Sequence, residues 1–150
     1  MQSTMGWRFE GRLVVAVHTK ASPSNGEWQR FLNEAVRAGV DSSFRLFVVS
    51  HGGGPDGEQR RMLAGVVNKA NPPPMAMLTD SKLVRALMFA FSFINRTAKV
   101  LGLGDADAAF DFLGLDTQQR ESARRLRREL EAELGVTHKA PASVSAAQRP

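Results

Sequence analysis

The residues best able to do chemistry stand together at positions 50–60, SHGGGPDGEQR, where an apolar run ends in three consecutive glycines. HGGG at 51–54 has the form of the oxyanion-hole loop of some esterases. That loop works with a serine in a G-x-S-x-G elbow, and the sequence contains no such elbow. A glycine turn leading into a helix also presents free amides and the positive end of the helix dipole, which together suit a phosphate or carboxylate. No lysine follows in the G-x-x-x-x-G-K-[ST] register, and Asp56 and Glu58 put negative charge in the first turn, where an anion would sit. A structural turn is therefore the simpler reading, with Ser50 capping it through its hydroxyl. Ser50, His51, Gly53, Asp56 and Arg60 remain the candidates for binding an anion or a partner, and no catalytic residue is assigned.

Other chemistries are excluded by composition. The 150 residues include no cysteine, which removes disulfides, thiolate metal sites and cysteine nucleophiles together. Three histidines, at 18, 51 and 138, are not spaced for a metal. His18, near the end of a strand-like run, reads as a surface histidine. Neither metal nor cofactor is expected. The net charge is +5, and basic residues cluster in RESARRLRRELEAEL, where Glu121 and Arg125, Arg125 and Glu129, and Arg127 and Glu131 stand four apart and offset one another. Without tyrosine or an aromatic–basic alternation, a specific nucleic-acid partner is not expected. The N-terminus lacks a basic-flanked apolar leader, and no apolar run approaches the roughly 20 residues that span a bilayer. The expectation is a cytoplasmic protein without a transmembrane segment.

The elements that position the loop follow from periodicity. WRFE and RLVVAVH flank Gly11 and predict a hairpin. ASPSNG is loop chemistry in which Ser24 or Asn25 can cap a helix carrying Trp28, Phe31, Leu32, Ala35 and Val36 and ending near Gly39. FRLFVVS is apolar without alternation, the mark of a strand buried on both faces, and is placed at the centre of the sheet. The helix after the glycines is read with Met62, Leu63, Val66 and Val67 inward and Gln59, Arg60, Arg61 and Lys69 outward, and prolines 72–74 end it. PMAMLT is a further buried strand. TDSKLVRALMFAFSFINR is then a helix capped by Asp80 or Ser81 and apolar nearly all round. Leu87, Met88, Phe91 and Ile94 are assigned to the core, and Phe89 points away from them. Either neighbouring helices cover the sides of this helix, or Phe89 and its neighbours belong to a partner or lipid surface. TAKVLGL reads as an edge strand guarded by Lys99. A short helix, with Asp105 or Asp107 as cap and Ala108, Ala109, Phe112 and Leu113 as its body, follows. A charged helix from Thr117 carries the narrow stripe Ala123, Leu126, Leu130 and Leu134. One domain, 5–135, is expected, with 136–150 a disordered tail. The order predicts an α/β fold, a mixed sheet of about five strands with helices mainly on one face and a C-terminal charged helix.

With these elements in place, the chain resembles the STAS and SpoIIAA-like superfamily, in particular its bacterial STAS/SEC14-type branch. The likeness runs from about Trp7 to Leu115 and rests on GGPDGEQR at 53–60, TDSKLVR at 79–85, and the strand, acidic turn and A-x-x-F-L of 100–113. The resemblance implies a non-enzymatic regulatory or scaffold domain that docks a protein partner; apart from it, Phe89 could also serve association with a second copy of the chain. Some such domains are switched by phosphorylation of a serine at the start of the helix after a central strand. Here that place holds Pro55, Asp56 and Gly57, and Ser50 is the nearest hydroxyl. Asp80, Ser81 and Phe89 join the loop residues as binding candidates. The alternatives are a small enzyme or anion-binding protein using loop 50–58, and a lipid binder using the aromatic helix 81–95.

Overall fold

The computed structural model describes residues 2–66, 71–94 and 97–136, with backbone alone for 90–94. The strands are β1 (Met5–Glu10), β2 (Leu13–His18), β3 (Arg45–Ser50), β4 (Met75–Thr79) and β5 (Ala98–Leu101). The helices are α1 (Asn25–Ala38), α2 (Gly57–Val66), α3 (Lys82–Ile94), α4 (Ala106–Leu113) and α5 (Thr117–Leu134). β1 and β2 form the expected antiparallel hairpin, and β2 to β5 run parallel in a five-stranded sheet ordered as in the sequence. Gly11, at φ 59°, starts the two-residue turn between β1 and β2, a conformation that costs other residues more. β3 is central and β5 an edge, as expected.

Sequential parallel strands joined by right-handed crossovers must carry their connecting helices on one face. α1, α2 and α3 do so: Trp28, Phe31 and Leu32 pack on Met5 and Val14 with Met62 and Leu63, while Val84 and Met88 pack on Ala16, Val48 and Met77. The opposite face is covered as well, by α4 and the C-terminal charged helix α5, so the helices divide three to two between the faces. There Leu13, Val15, Val17, Phe47, Val49, Ala76 and Leu78 meet Ala109, Phe110 and Leu113 of α4 and Ala123, Leu126, Leu130 and Leu134 of α5. The physical reason is that β2, β3 and β4 are apolar on both faces and need cover on both. Gly6 lets α5 approach: a Cβ there would lie 2.9 Å from a Leu130 methyl.

Local chemistry ends the helices where the sequence suggests. Ser24 and Glu27 form a capping box at α1, as do Asp116 and Gln119 at α5, and Gly39, Gly114 and Gly135 take left-handed C-cap conformations. Asp105 occupies the N-cap position of α4. In that helix the buried aromatic is Phe110 and not Phe112, because the body turns its 109–110–113 face inward. The charges of α5 reach beyond their own helix, Arg8 to Glu133, Arg125 to Glu10, Arg124 to Asp107 and Arg120 to Asp111, besides the expected Arg125–Glu129 and Arg127–Glu131 pairs. Val136, assigned to the tail, packs on the core, and the remainder of the tail, 137–150, lies outside the described residues. No helix among the described residues is long and apolar enough to cross a membrane.

Candidate functional site

The carboxyl ends of the parallel strands bring the candidate loops side by side. His18, Ser50 and Thr79 are register neighbours at the ends of β2, β3 and β4, and all three are buried. Beyond them the chain turns into loops 19–24, 51–56 and 80–81. The strand order never reverses, so this edge lacks the divergent crossovers that open a ligand crevice in other α/β sheets.

The glycine loop is folded onto its own chain. Ser50 Oγ donates to the Gly53 carbonyl at 2.6 Å and accepts from the Gly52 amide at 3.2 Å, the turn-capping role expected of it. The Gly53 amide donates to the Thr19 carbonyl at 2.7 Å. A Cβ on Gly53 would lie 2.4 Å from the carbonyl oxygens of both Thr19 and Ala21, so only glycine permits this approach of two backbones. The His51 amide donates to the His18 carbonyl, and its Nε2 lies 2.8 Å from Glu131 of α5. Burial raises the Glu131 carboxyl, but the His51 hydrogen bond and the Arg127 charge outweigh it, and its pKa falls below the ordinary value. Through this contact the loop is fastened to a helix on the other side of the sheet.

Asp56 caps α2. Its Oδ1 accepts from the Gln59 amide at 2.8 Å, and its own amide donates to Gln59 Oε1 at 2.9 Å. Gln59 was expected to face outward, yet only 1% of it is exposed. Its Nε2 donates to the Pro23 carbonyl and to Asn25 Oδ1, and its carbonyl accepts from Trp28 Nε1. These bonds lock the start of α2 to the start of α1 and explain the inward turn. Val66, expected inward, is exposed, since the helix is rotated to bring Gln59 under cover; Val67 and Lys69 lie outside the described residues. Arg60 is exposed and donates to the Pro55 carbonyl at 2.9 Å.

In the neighbouring loop Ser81 Oγ accepts from the Val84 amide and so caps α3, while Asp80 Oδ1 accepts from the Leu103 amide and ties β4 to the turn after β5. The structure therefore gathers Ser50, His51, Gly53, Asp56 and Arg60 in one loop, with Asp80 and Ser81 in the next. Phe89 stands apart on α3.

Two polar residues at this edge escaped the sequence reading. Gln59 is one; its D-x-x-Q spacing after Asp56 is the capping-box signal that pointed to it. The other is His18, which is buried and not a surface residue. It shares a face with Val14 and Ala16 and lies under Trp28, the ring centroids 6.5 Å apart. Burial lowers its pKa to about 4, against a weaker upward pull from Glu27, and its Nδ1 has no hydrogen-bond partner. A neutral imidazole sealed beneath an indole has no route to a substrate. Among the described residues no cluster of three histidines or carboxylates could hold a metal ion.

α3 differs from this closed edge. Val84 and Met88 turn to the sheet, while Leu83, Leu87 and Phe89 are 70%, 46% and 60% exposed. Leu87, assigned to the core, is thus on the surface, because among the described side chains it is Val84 and Met88 that meet the sheet; the side chains of Phe91 and Ile94 lie outside the described residues. Comparison with known proteins finds no matching family model, curated protein or solved structure.

Proposed function

We propose that this chain is a non-enzymatic interaction module with a regulatory or scaffold role, STAS-like in kind, that docks a protein partner through the outer surface of α3. The observation that carries this reading is the exposure of Leu83, Leu87 and Phe89 within two turns of one helix. Leu83 and Leu87, four apart, share one flank of the helix and Phe89 lies on the other, so both sides of its outer surface carry exposed apolar area of the kind that marks an interaction surface. The closed strand-end loop supports the same reading, since the polar groups of Ser50, Gly53, Asp56 and Gln59 are engaged by the chain itself. A ligand there would have to displace those bonds before making its own.

The reading is tested with the double variant Leu83→Ser, Leu87→Ser. Both side chains are exposed, so denaturant melts should change by less than about 1 kcal/mol. Immobilised wild type should retain from native extract a protein that the double variant loses and that Arg60→Ala keeps. Retention by the double variant together with loss by Arg60→Ala would move binding to the loop and end this proposal.

A further inference from the structure

We propose that the open edge of β1, together with the outer flank of α1, takes a second copy of this chain in an antiparallel, two-fold arrangement. This surface is separate from the outer face of α3, and the inference does not depend on that reading.

The first ground is the strand edge. Across a two-residue turn the flanking pair Glu10–Leu13 is hydrogen-bonded, so Gly6, Arg8 and Glu10 direct their amides and carbonyls to β2. The bond from the Thr19 amide to the Thr4 carbonyl follows the same alternation. Met5, Trp7 and Phe9 therefore present theirs outward. The two sheet edges differ in how they are guarded. β5 has four residues and carries exposed Lys99. β1 has six, and a groove of about 740 Å³ runs beside it between α1 and the end of α5, lined by Trp7, Phe9, Arg30, Glu34, Arg37 and Glu133 among others. β1 also carries charges, but Arg8 and Glu10 are drawn to Glu133 and Arg125 on the α5 face, and an edge of this length is a template for another strand. The Trp7 carbonyl accepts from Arg8 at 2.9 Å, a bond that an incoming strand would replace.

The second ground is charge. Glu27, Arg30, Glu34 and Arg37 follow one another at spacings of three, four and three along α1, which places them on one flank, and all four line the groove. Reversed end for end, this series is its own complement: Glu27 falls opposite Arg37, and Arg30 opposite Glu34. A two-fold axis midway between 30 and 34 makes both pairs twice. A parallel or arbitrary neighbour gains no such match.

The third ground is that strand and helix share one axis. α1 runs alongside β1, with Glu27 bonded to Thr4, and Phe31 and Glu34 against Trp7. The centre of the charged flank therefore lies beside Trp7, the middle of the outward-facing triplet 5–7–9. One axis through Trp7 pairs the two β1 strands antiparallel and sets the two α1 flanks against each other. With strands about 4.8 Å apart and α1 riding over β1 and β2, the two helices come to roughly 10 Å, a packing distance. The product is a continuous sheet of two copies. Glu27 is buried and held by Thr4 and Ser24, so the inner pair, Arg30 with Glu34 of the second copy, is the one to test; the Trp7 indole donates to Glu34 Oε2, and the pair is made by the other carboxylate oxygen.

Arg30 and Glu34 are both exposed, so their reversal should leave the fold intact by circular dichroism. Sedimentation velocity over a concentration series at low salt should show wild type passing from monomer to dimer. Arg30→Glu and Glu34→Arg should each self-associate about ten-fold more weakly, because each turns two attractive pairs into repulsive ones. An equimolar mixture of the two variants should recover the dimer, since one then carries two acids and the other two bases. That recovery occurs only between chains and does not follow from contacts within one α1. A wild type that stays monomeric, single variants that associate as wild type does, or a mixture that fails to recover would each overturn the proposal.

Discussion

Phe110→Ala should cost about 3 to 5 kcal/mol, the usual range for removing a fully buried phenylalanine. Phe110 has no exposed surface and meets Phe47 edge-on at 5.0 Å between centroids, with the Arg124 guanidinium over its ring, 5.2 Å from the centroid. It joins α4 to the central strand, so its loss leaves a cavity between two elements that cannot close without moving the sheet. A domain with a total stability of about 5 to 15 kcal/mol would lose a large part of it. Phe112→Ala is the comparison. Phe112 is 37% exposed and its ring lies near Lys99, so its truncation should cost about 1 kcal/mol. Urea melts of the two variants decide the matter, and equal losses would mean that the inward face of α4 is not the one described.

The second large effect is a dependence of stability on pH set by His18. Burial depresses its pKa from 6.5 to about 4 in the folded protein, so between those values the unfolded chain binds a proton that the folded one refuses. Acid therefore favours unfolding. Stability is unaffected by this group above pH 6.5 and falls as pH drops toward 4, by about 3 kcal/mol in all. Glu27 and Glu131 also titrate with lowered pKa values, but their influence begins only near the ordinary carboxylate range. Over the interval from pH 6.5 to 5, above that range, the difference between wild type and His18→Leu therefore reports this histidine alone. Melts across it should show a steady decline in wild type and a nearly flat profile in His18→Leu. A flat wild-type profile would mean that the imidazole can be protonated in the folded state.

The strands were legible because β2, β3 and β4 are continuous apolar runs, and the caps Ser24 and Ser81 because a small polar residue before a periodic apolar run is a local signal; the D-x-x-Q boxes at 56–59 and 116–119 carry the same signal and went unread. The cover on both faces was equally implied: if FRLFVVS is buried on both sides, one layer of helices cannot suffice. The rotation of each helix was harder to read. Phe110 and Phe112 are equivalent by type, and which of them faces the sheet depends on how α4 leaves the turn after β5. Leu87 carries an apolar side chain that is 46% exposed, and the sequence of α3 alone does not state where its neighbours lie. His18 and Gln59 were misplaced for one reason: a polar side chain reads as exposed until the segment that packs over it is known. For His18 that segment is α1, and for Gln59 it is loop 23–25 with Trp28. Ser50, Asp56 and Ser81 were found at the expected turns, where their hydroxyls and carboxylate serve the backbone.

The central claim, that this chain binds through the surface of α3 and not through the glycine loop, is tested most directly by site-specific photocrosslinking in native extract. A photoreactive phenylalanine analogue replaces Leu87 in one protein and Arg60 in another, both exposed positions. The account predicts a discrete protein adduct from position 87 and none from position 60. A discrete adduct from position 60, with position 87 giving none, would contradict it.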